Sequence, residues 1–241
     1  MMATQLWSVV WDCRHPNQLG HWWAEMLAWR VTKASPQEVT VEAAGDDRPL
    51  SLVFVPVPES KMHKNRLHLD LATAPVDEQA ATVEQLRSRG ATPTNIGQEN
   101  VPWVVLADPE GNEFCVLDPR ACYQGAEPLA AVVVDAVDPA KLARFWVEAS
   151  GWAIGFESDN MVRLHRPGDQ PPYLEFVRVS EVKRVKNRLH LDVSARPNGD
   201  RVAEADRLIG LGAQHVDIGQ GSEVPWVVLT DPEGNEFCIL V

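Results

Sequence analysis

The sequence predicts an α+β protein made by duplication, each copy a pair of βαβββ modules with helices covering one face of the sheet. Three observations carry this. The segment KNRLHLDL at 64–71 returns as KNRLHLDV at 186–193, 122 residues later. VPWVVLADPEGNEFCVLD at 101–118 returns at 224–241, with 15 of 18 positions identical. Trp23-Ala24-Glu25 followed by Trp29 matches Trp146-Val147-Glu148 followed by Trp152. So long a period excludes a solenoid and marks a duplicated domain. The break YQGAE, Tyr123–Glu127, divides the chain into expected domains at residues 1–122 and 128–241.

Both copies give the same order of elements. A short strand opens each, Leu6–Trp11 and Ala131–Val134. A helix follows: Asp138 is a good N-cap, Pro139 suits the first helical position, and Gly151 ends it. His15-Pro16 occupies the matching start in the first copy. Three short β-prone runs come next, including Leu50–Val55 and Tyr173–Val179. In the LHLDL strand, alternation puts Leu67, Leu69 and Leu71 on one face and His68 and Asp70 on the other. A second helix is predicted from Val76 to Arg89 with Gly90 as its stop, mirrored by Gly199–Leu211 with Gly212. Two last strands flank a DPEGN turn, strong hairpin chemistry. Helices covering one face of each sheet make the class α+β.

Composition limits the function classes. The 241 residues suffice for two domains that bury cores without disulfides. Lys and Arg total 22 against 34 Asp and Glu, a net charge of −12. That balance argues against a nucleic-acid grip or adsorption to anionic lipid. No run of apolar residues is long enough to span a membrane, and the N-terminus shows no signal-peptide pattern. The four cysteines are too few and scattered for a secreted disulfide framework. A cytoplasmic protein without nucleic-acid or membrane partners is expected.

The paired βαβββ modules, the helix DPAKLARFW, the HLD strand and the terminal DPEGNEF resemble the vicinal-oxygen-chelate superfamily. The NRLHLD and DPEGNEFC combination is most similar to its glyoxalase-like and bleomycin-resistance-like branch. The resemblance implies two tandem domains with mixed, curved sheets around concave clefts and helices outside. It also implies a divalent metal held by His, Gln or Glu on the first, fourth, fifth and eighth strands of a domain. Carried over, these positions fall at Ser8, Val53, His68 and Cys115 in the first copy, and at Ala131, Glu175, His190 and Cys238 in the second. Few of these are ordinary ligands for Mg, Mn or Fe. The expectation is therefore no metal cofactor, with Glu175, His190 and Cys238 the set to suspect should one be held.

Within this frame, His68/Asp70 and His190/Asp192 read as acid–base pairs facing the clefts, or as hydrogen-bonded strand histidines of the fold. Glu113 and Cys115 share a strand face at i, i+2, as do Glu236 and Cys238, so Glu113 and Glu236 are candidate catalytic carboxylates. Buried Cys is more often an inert small hydrophobe than a nucleophile, which leaves Cys115 and Cys238 as cleft-lining residues. Trp103 and Trp226 are candidate ligand walls. Trp7 and Trp11 have no aromatic counterpart in the second copy, so the first copy's cleft is expected to be the specialised one, with His68 mattering more than His190. The function expected is recognition of a small apolar or aromatic molecule, by sequestration or metal-independent acid–base conversion. The alternatives are a metal-dependent lyase, isomerase or dioxygenase, and a partner-binding scaffold. The chain is expected to act as a monomer with an internal pseudo-two-fold or as a homodimer.

Overall fold

The computed structural model describes residues 4–45, 50–73, 78–123, 126, 128–195, 199–219, 221 and 224–240. The expected helix start at Val76 and positions 124, 125 and 127 of the expected break lie outside them. Four modules follow in order. The first holds β1 (Thr4–Cys13), α1 (Pro16–Met26), β2 (Arg30–Ala34), β3 (Val39–Glu42) and β4 (Ser51–Pro56). The second holds β5 (Leu67–Leu71), α2 (Glu78–Ser88), β6 (Thr92–Pro93), β7 (Val104–Ala107) and β8 (Glu113–Val116), followed by a 3-10 turn, Ala121–Tyr123. The third holds β9 (Leu129–Ala136), α3 (Pro139–Ser150), β10 (Ala153–Glu157), β11 (Met161–His165) and β12 (Tyr173–Arg178). The fourth holds β13 (Leu189–Ala195), α4 (Arg201–Gly210), β14 (Gln214–His215), β15 (Val227–Thr230) and β16 (Glu236–Leu240).

The two eight-stranded sheets are not divided between the halves of the chain. One, the terminal sheet, runs β14-β15-β16-β13-β1-β4-β3-β2 and joins modules one and four. The other, the central sheet, runs β10-β11-β12-β9-β5-β8-β7-β6 and joins modules two and three. Each is sealed by one antiparallel pairing between halves, β1 with β13 and β5 with β9. The chain crosses between sheets twice, along residues 57–66 and 179–188. The repeated Lys-Asn-Arg of these crossings is what ties them down. Lys64 reaches Asp135 at 2.6 Å and Lys186 reaches Asp12. Arg66 donates to the Asp135 carbonyl, and Arg188 to the Glu59 carbonyl.

The second repeated motif is equally structural. In the DPEGN turn, Asp108 Oδ1 accepts the Glu110 and Asn112 N–H groups, and Gly111 supplies the positive φ of 84°. Trp23 Nε1 of α1 donates to Asp108 Oδ2 at 3.2 Å, and Trp146 of α3 does the same to Asp231. Glu110 accepts the Arg14 and His15 N–H groups and so closes the start of α1, which has no side-chain cap of its own. In α3, Asp138 does cap, accepting from Lys141 N–H, and Gly151 ends the helix at φ 74°.

Alternation sends Leu67, Leu69 and Leu71, and likewise Val9 and Trp11, to the helix side of the sheets. There they join one apolar core shared by both halves. His68, Asp70 and their partners are left on the opposite, concave side. Among the described residues no helix is long and apolar enough to cross a membrane.

Candidate ligand-binding cleft

A cavity of about 1760 Å³ opens over the concave face of the central sheet and is roofed by the two crossing segments. Its floor is set by register. Arg163 on β11 lies opposite Glu175 on β12, which lies opposite Val133 on β9, which lies opposite His68 on β5. The next row reads Tyr173, Ala131, Asp70 and Cys115. Residues so aligned share a face. Each row therefore draws on both halves of the chain. A second apolar cluster, separate from the main core, sits here: Leu117, Tyr123, Ala131, Val133 and Tyr173, with Trp103 against it.

One charged group is set into that apolar face. Glu175 is buried, and its Oε1 accepts from Arg163 Nε at 2.7 Å and from the Tyr123 hydroxyl at 2.9 Å. The Arg163 guanidinium lies 5.0 Å from the Tyr123 ring centre and 4.8 Å from that of Tyr173, a cation held between two π faces. Burial pushes the Glu175 carboxyl up, and Arg163 opposes it. Burial alone would lower Arg163, but Glu175 outweighs it and holds the guanidinium charged. At the mouth, Arg120 stacks 5.6 Å over the Trp103 ring.

Beside this pair stand His68, Asp70 and Cys115, whose donor atoms lie within 4.8 Å of one another; His190, Asp192 and Cys238 repeat the group on the terminal sheet. His68 Nε2 is 3.4 Å from Asp70 Oδ1, and His190 Nε2 is 3.3 Å from Asp192 Oδ1. Burial alone would lower His190, but Asp192 and Cys238 lift it to about 10. Burial, with Asp70 adding to it, pushes the Cys115 thiol up. Burial also raises Cys238, against the pull of His190. Neither cysteine is a ready thiolate nucleophile.

Several sequence expectations are corrected. Trp11 is no cleft residue: it is 1% exposed and stacks on Phe54 beneath α1, because its parity on β1 points it at the helices. Trp7 sits at a β-bulge between the paired Leu6 and Ser8 and lines a separate small pocket with Trp152 and Arg166. Glu113 and Glu236 are not free carboxylates. Each is paired at 2.6 Å with a lysine of a crossing segment, Lys61 or Lys183, and accepts a backbone N–H from Asn65 or Asn187. Glu175 does not join His190 and Cys238, because strand exchange puts it on the sheet of His68. His68, Asp70, Trp103 and Cys115 do line the large cleft. His190, Asp192 and Cys238 meet on the other sheet, and Trp226 lies half-buried just before β15.

Sequence reasoning missed Arg163, Tyr123 and Tyr173. Two signals were available. The chain has only two tyrosines, and both lie here. Arg163 faces Glu175 where the first module pairs Thr40 with Val53.

The model of the glyoxalase-like domain matches the chain twice, over residues 8–117 and 131–240. The chain belongs to this family. Its fold is the tandem vicinal-oxygen-chelate fold. Among solved structures it is similar to glyoxalase I from Zea mays, at 14% identity and a TM-score of 0.67, covering 98% of this chain and 92% of that one. It is also similar to a Bacillus subtilis subsp. subtilis str. 168 protein provisionally named a dioxygenase, at 12% identity and a TM-score of 0.64, covering 98% and 84%. At these identities the likeness is one of fold. No curated protein sequence matches the chain significantly.

The fold family's metal centre can now be tested on the true neighbours. On the central sheet its four strand positions carry Ala131, Glu175, His68 and Cys115, and on the terminal sheet Ser8, Val53, His190 and Cys238. Alanine and valine offer no donor, and Glu175 is committed to Arg163 and Tyr123. These sets do not fit an oxygen-rich divalent centre.

Proposed function

We propose that the protein binds a small molecule with an aromatic or apolar body in the cleft of the central sheet. The observation that carries this is the apolar cluster on a concave sheet face, with the Arg163–Glu175 pair set in it. An apolar surface with a few fixed polar groups is the usual make-up of a ligand site. Trp103 and Tyr123 line the cleft and supply rigid aromatic area at small entropy cost, with Tyr173 packed behind them. The guanidinium edge offers donors that fix orientation. Sequestration, as in bleomycin-resistance-like proteins, needs no more than this. The chain would act in the cytoplasm, as a monomer whose internal pairing of modules stands in for a dimer.

The probe is anilinonaphthalene sulfonate, an aromatic anion. It should bind with one-to-one stoichiometry and quench tryptophan emission. Trp103→Phe should remove most of that quenching, since Trp103 is the tryptophan that lines the cleft. Unaltered quenching in Trp103→Phe, or no binding at all, would overturn the reading.

A second reading, metal-independent acid–base conversion, is favoured by His68, which lines the same cleft 3.4 Å from the Asp70 carboxylate. It requires turnover that survives chelation and is lost in His68→Gln.

A further inference from the structure

We propose that the small pocket between the first and third modules is a second binding site, for an aryl monocarboxylate the size of benzoate. It lies apart from the central cleft, and the inference is independent of what that cleft binds.

The pocket, about 280 Å³, forms where the starts of β1 and β4 meet the end of α3 and the turn after β11. Its walls come from both halves of the chain. The β-bulge between Leu6 and Ser8 leaves Trp7 out of the β1–β13 pairing, and the indole stands 44% exposed. Bulges commonly re-aim a side chain in this way. Trp152, just past the end of α3, is buried and supplies a second aromatic wall.

A single cation stands among these walls. Among the described residues lining the pocket, Arg166 alone is charged. Its Nε is buried without an acceptor, and no carboxylate of the described residues pairs with it. The end of α3 does not engage it either. The Trp146, Val147, Glu148 and Ala149 carbonyls accept instead from Ser150 Oγ, Gly151 N–H, Arg207 and Thr4 Oγ1. The lining hydroxyls of Thr4, Ser51 and Ser150 all donate within the protein, Ser51 to Glu42 at 3.2 Å. The guanidinium is therefore the charged donor left for a ligand.

The duplication supplies the contrast. Trp7 corresponds to Ala130 and Arg166 to Ala43, while Trp29 keeps the place of Trp152. The extra indole belongs to the first copy and the extra cation to the second, yet both meet in this one pocket. Chemistry and size select the ligand. Arginine stays charged, and its planar fork matches a carboxylate with two parallel N–H donors. The two indoles suit a flat apolar body. A void of about 150 Å³ suffices for benzene, so the present volume, about 280 Å³, has room for one ring and its carboxylate.

The test is a benzoate titration of the full chain labelled with 5-fluorotryptophan, followed by fluorine NMR. Nine resonances are expected, and Trp7→Phe, Trp152→Phe and Trp103→Phe assign the three that matter. Benzoate should shift the Trp7 and Trp152 resonances along one saturation curve. The Trp103 resonance reports the central cleft separately, so the two sites fail independently. Neutral benzamide, the same shape without the charge, should bind at least about tenfold more weakly. Arg166→Ala, which copies Ala43, should weaken benzoate by a similar factor with circular dichroism unchanged. No shift of Trp7 and Trp152 at tens of millimolar benzoate, or a response confined to Trp103, would overturn the proposal. So would equal affinities for benzoate and benzamide, a comparison that needs no variant to fold. Full binding in Arg166→Ala would do the same.

Discussion

The concave faces of the two sheets come from one repeated sequence and differ in two neighbouring rows. The central sheet sets Arg163 against Glu175 and adds Tyr123 and Tyr173. At the matching places the terminal sheet has Thr40 against Val53, and Ser51. The His-Asp-Cys group is the same on both. So the two concave faces keep the shared polar group and differ in the residues set around it. The difference teaches that the chemistry which varies between the copies is gathered in the half-and-half cleft of the central sheet. The extra tryptophans of the first half, Trp7 and Trp11, are not part of it.

Four measurements break or sharpen that comparison. The largest effect belongs to Trp11→Ala, which should cost about 3–5 kcal/mol of stability, as for other buried large-to-small changes. Urea unfolding reads this, while binding of the probe per folded molecule stays unchanged. Weakened binding with intact stability would return Trp11 to a cleft.

Next comes Arg163→Ala, which leaves Glu175 charged and buried and should cost about 3 kcal/mol. Thr40→Ala, its counterpart, should cost no more than about 0.5 kcal/mol. Arg163→Thr combined with Glu175→Val copies the terminal sheet, and it should recover most of the loss in a double-mutant cycle. Equal losses at positions 163 and 40 would mean that the ion pair is idle.

Binding gives the third comparison. Trp103→Ala should weaken the aromatic probe about tenfold, or about 1.4 kcal/mol, and Trp226→Ala should leave it nearly unchanged. Fluorescence titration of the two variants decides. Matched losses would make the sheets equivalent.

The smallest effect is in pH dependence, measured with chelator present. His190 rises from 6.5 unfolded to about 10 folded. Its contribution is therefore fully present below about pH 6.5 and is lost as pH rises through about 10. His190→Gln should flatten that decline in unfolding free energy, and an unaltered slope would mean that His190 does not carry it.

The repeat alone determined much of this protein. A 122-residue period, capped helix starts and DPEGN turns are local signals, and local chemistry makes them: Asp138 caps because its carboxylate reaches Lys141 N–H. The alternation of LHLDL likewise placed His68 and Asp70 together, since a strand with one apolar and one polar face shows a clean period of two. Trp11 escaped that logic because β1 is the central strand of its sheet. Both its faces are covered, and Val9, Val10 and Trp11 are all buried, so the sequence shows no alternation to fix parity.

What only the tertiary structure decided is which modules meet. Two copies of one sequence can pair within halves or across them, and the local motifs are identical either way. The choice rests on β1 with β13 and β5 with β9, contacts between residues at least 58 positions apart. That long-range pairing puts Glu175 beside Arg163 and on the sheet of His68. It also lets Tyr123, from the segment between the halves, reach into the cleft. Sequence sets what each strand can offer; the pairing of strands sets which offers share a face, because register and sheet order arise only once distant segments are in contact.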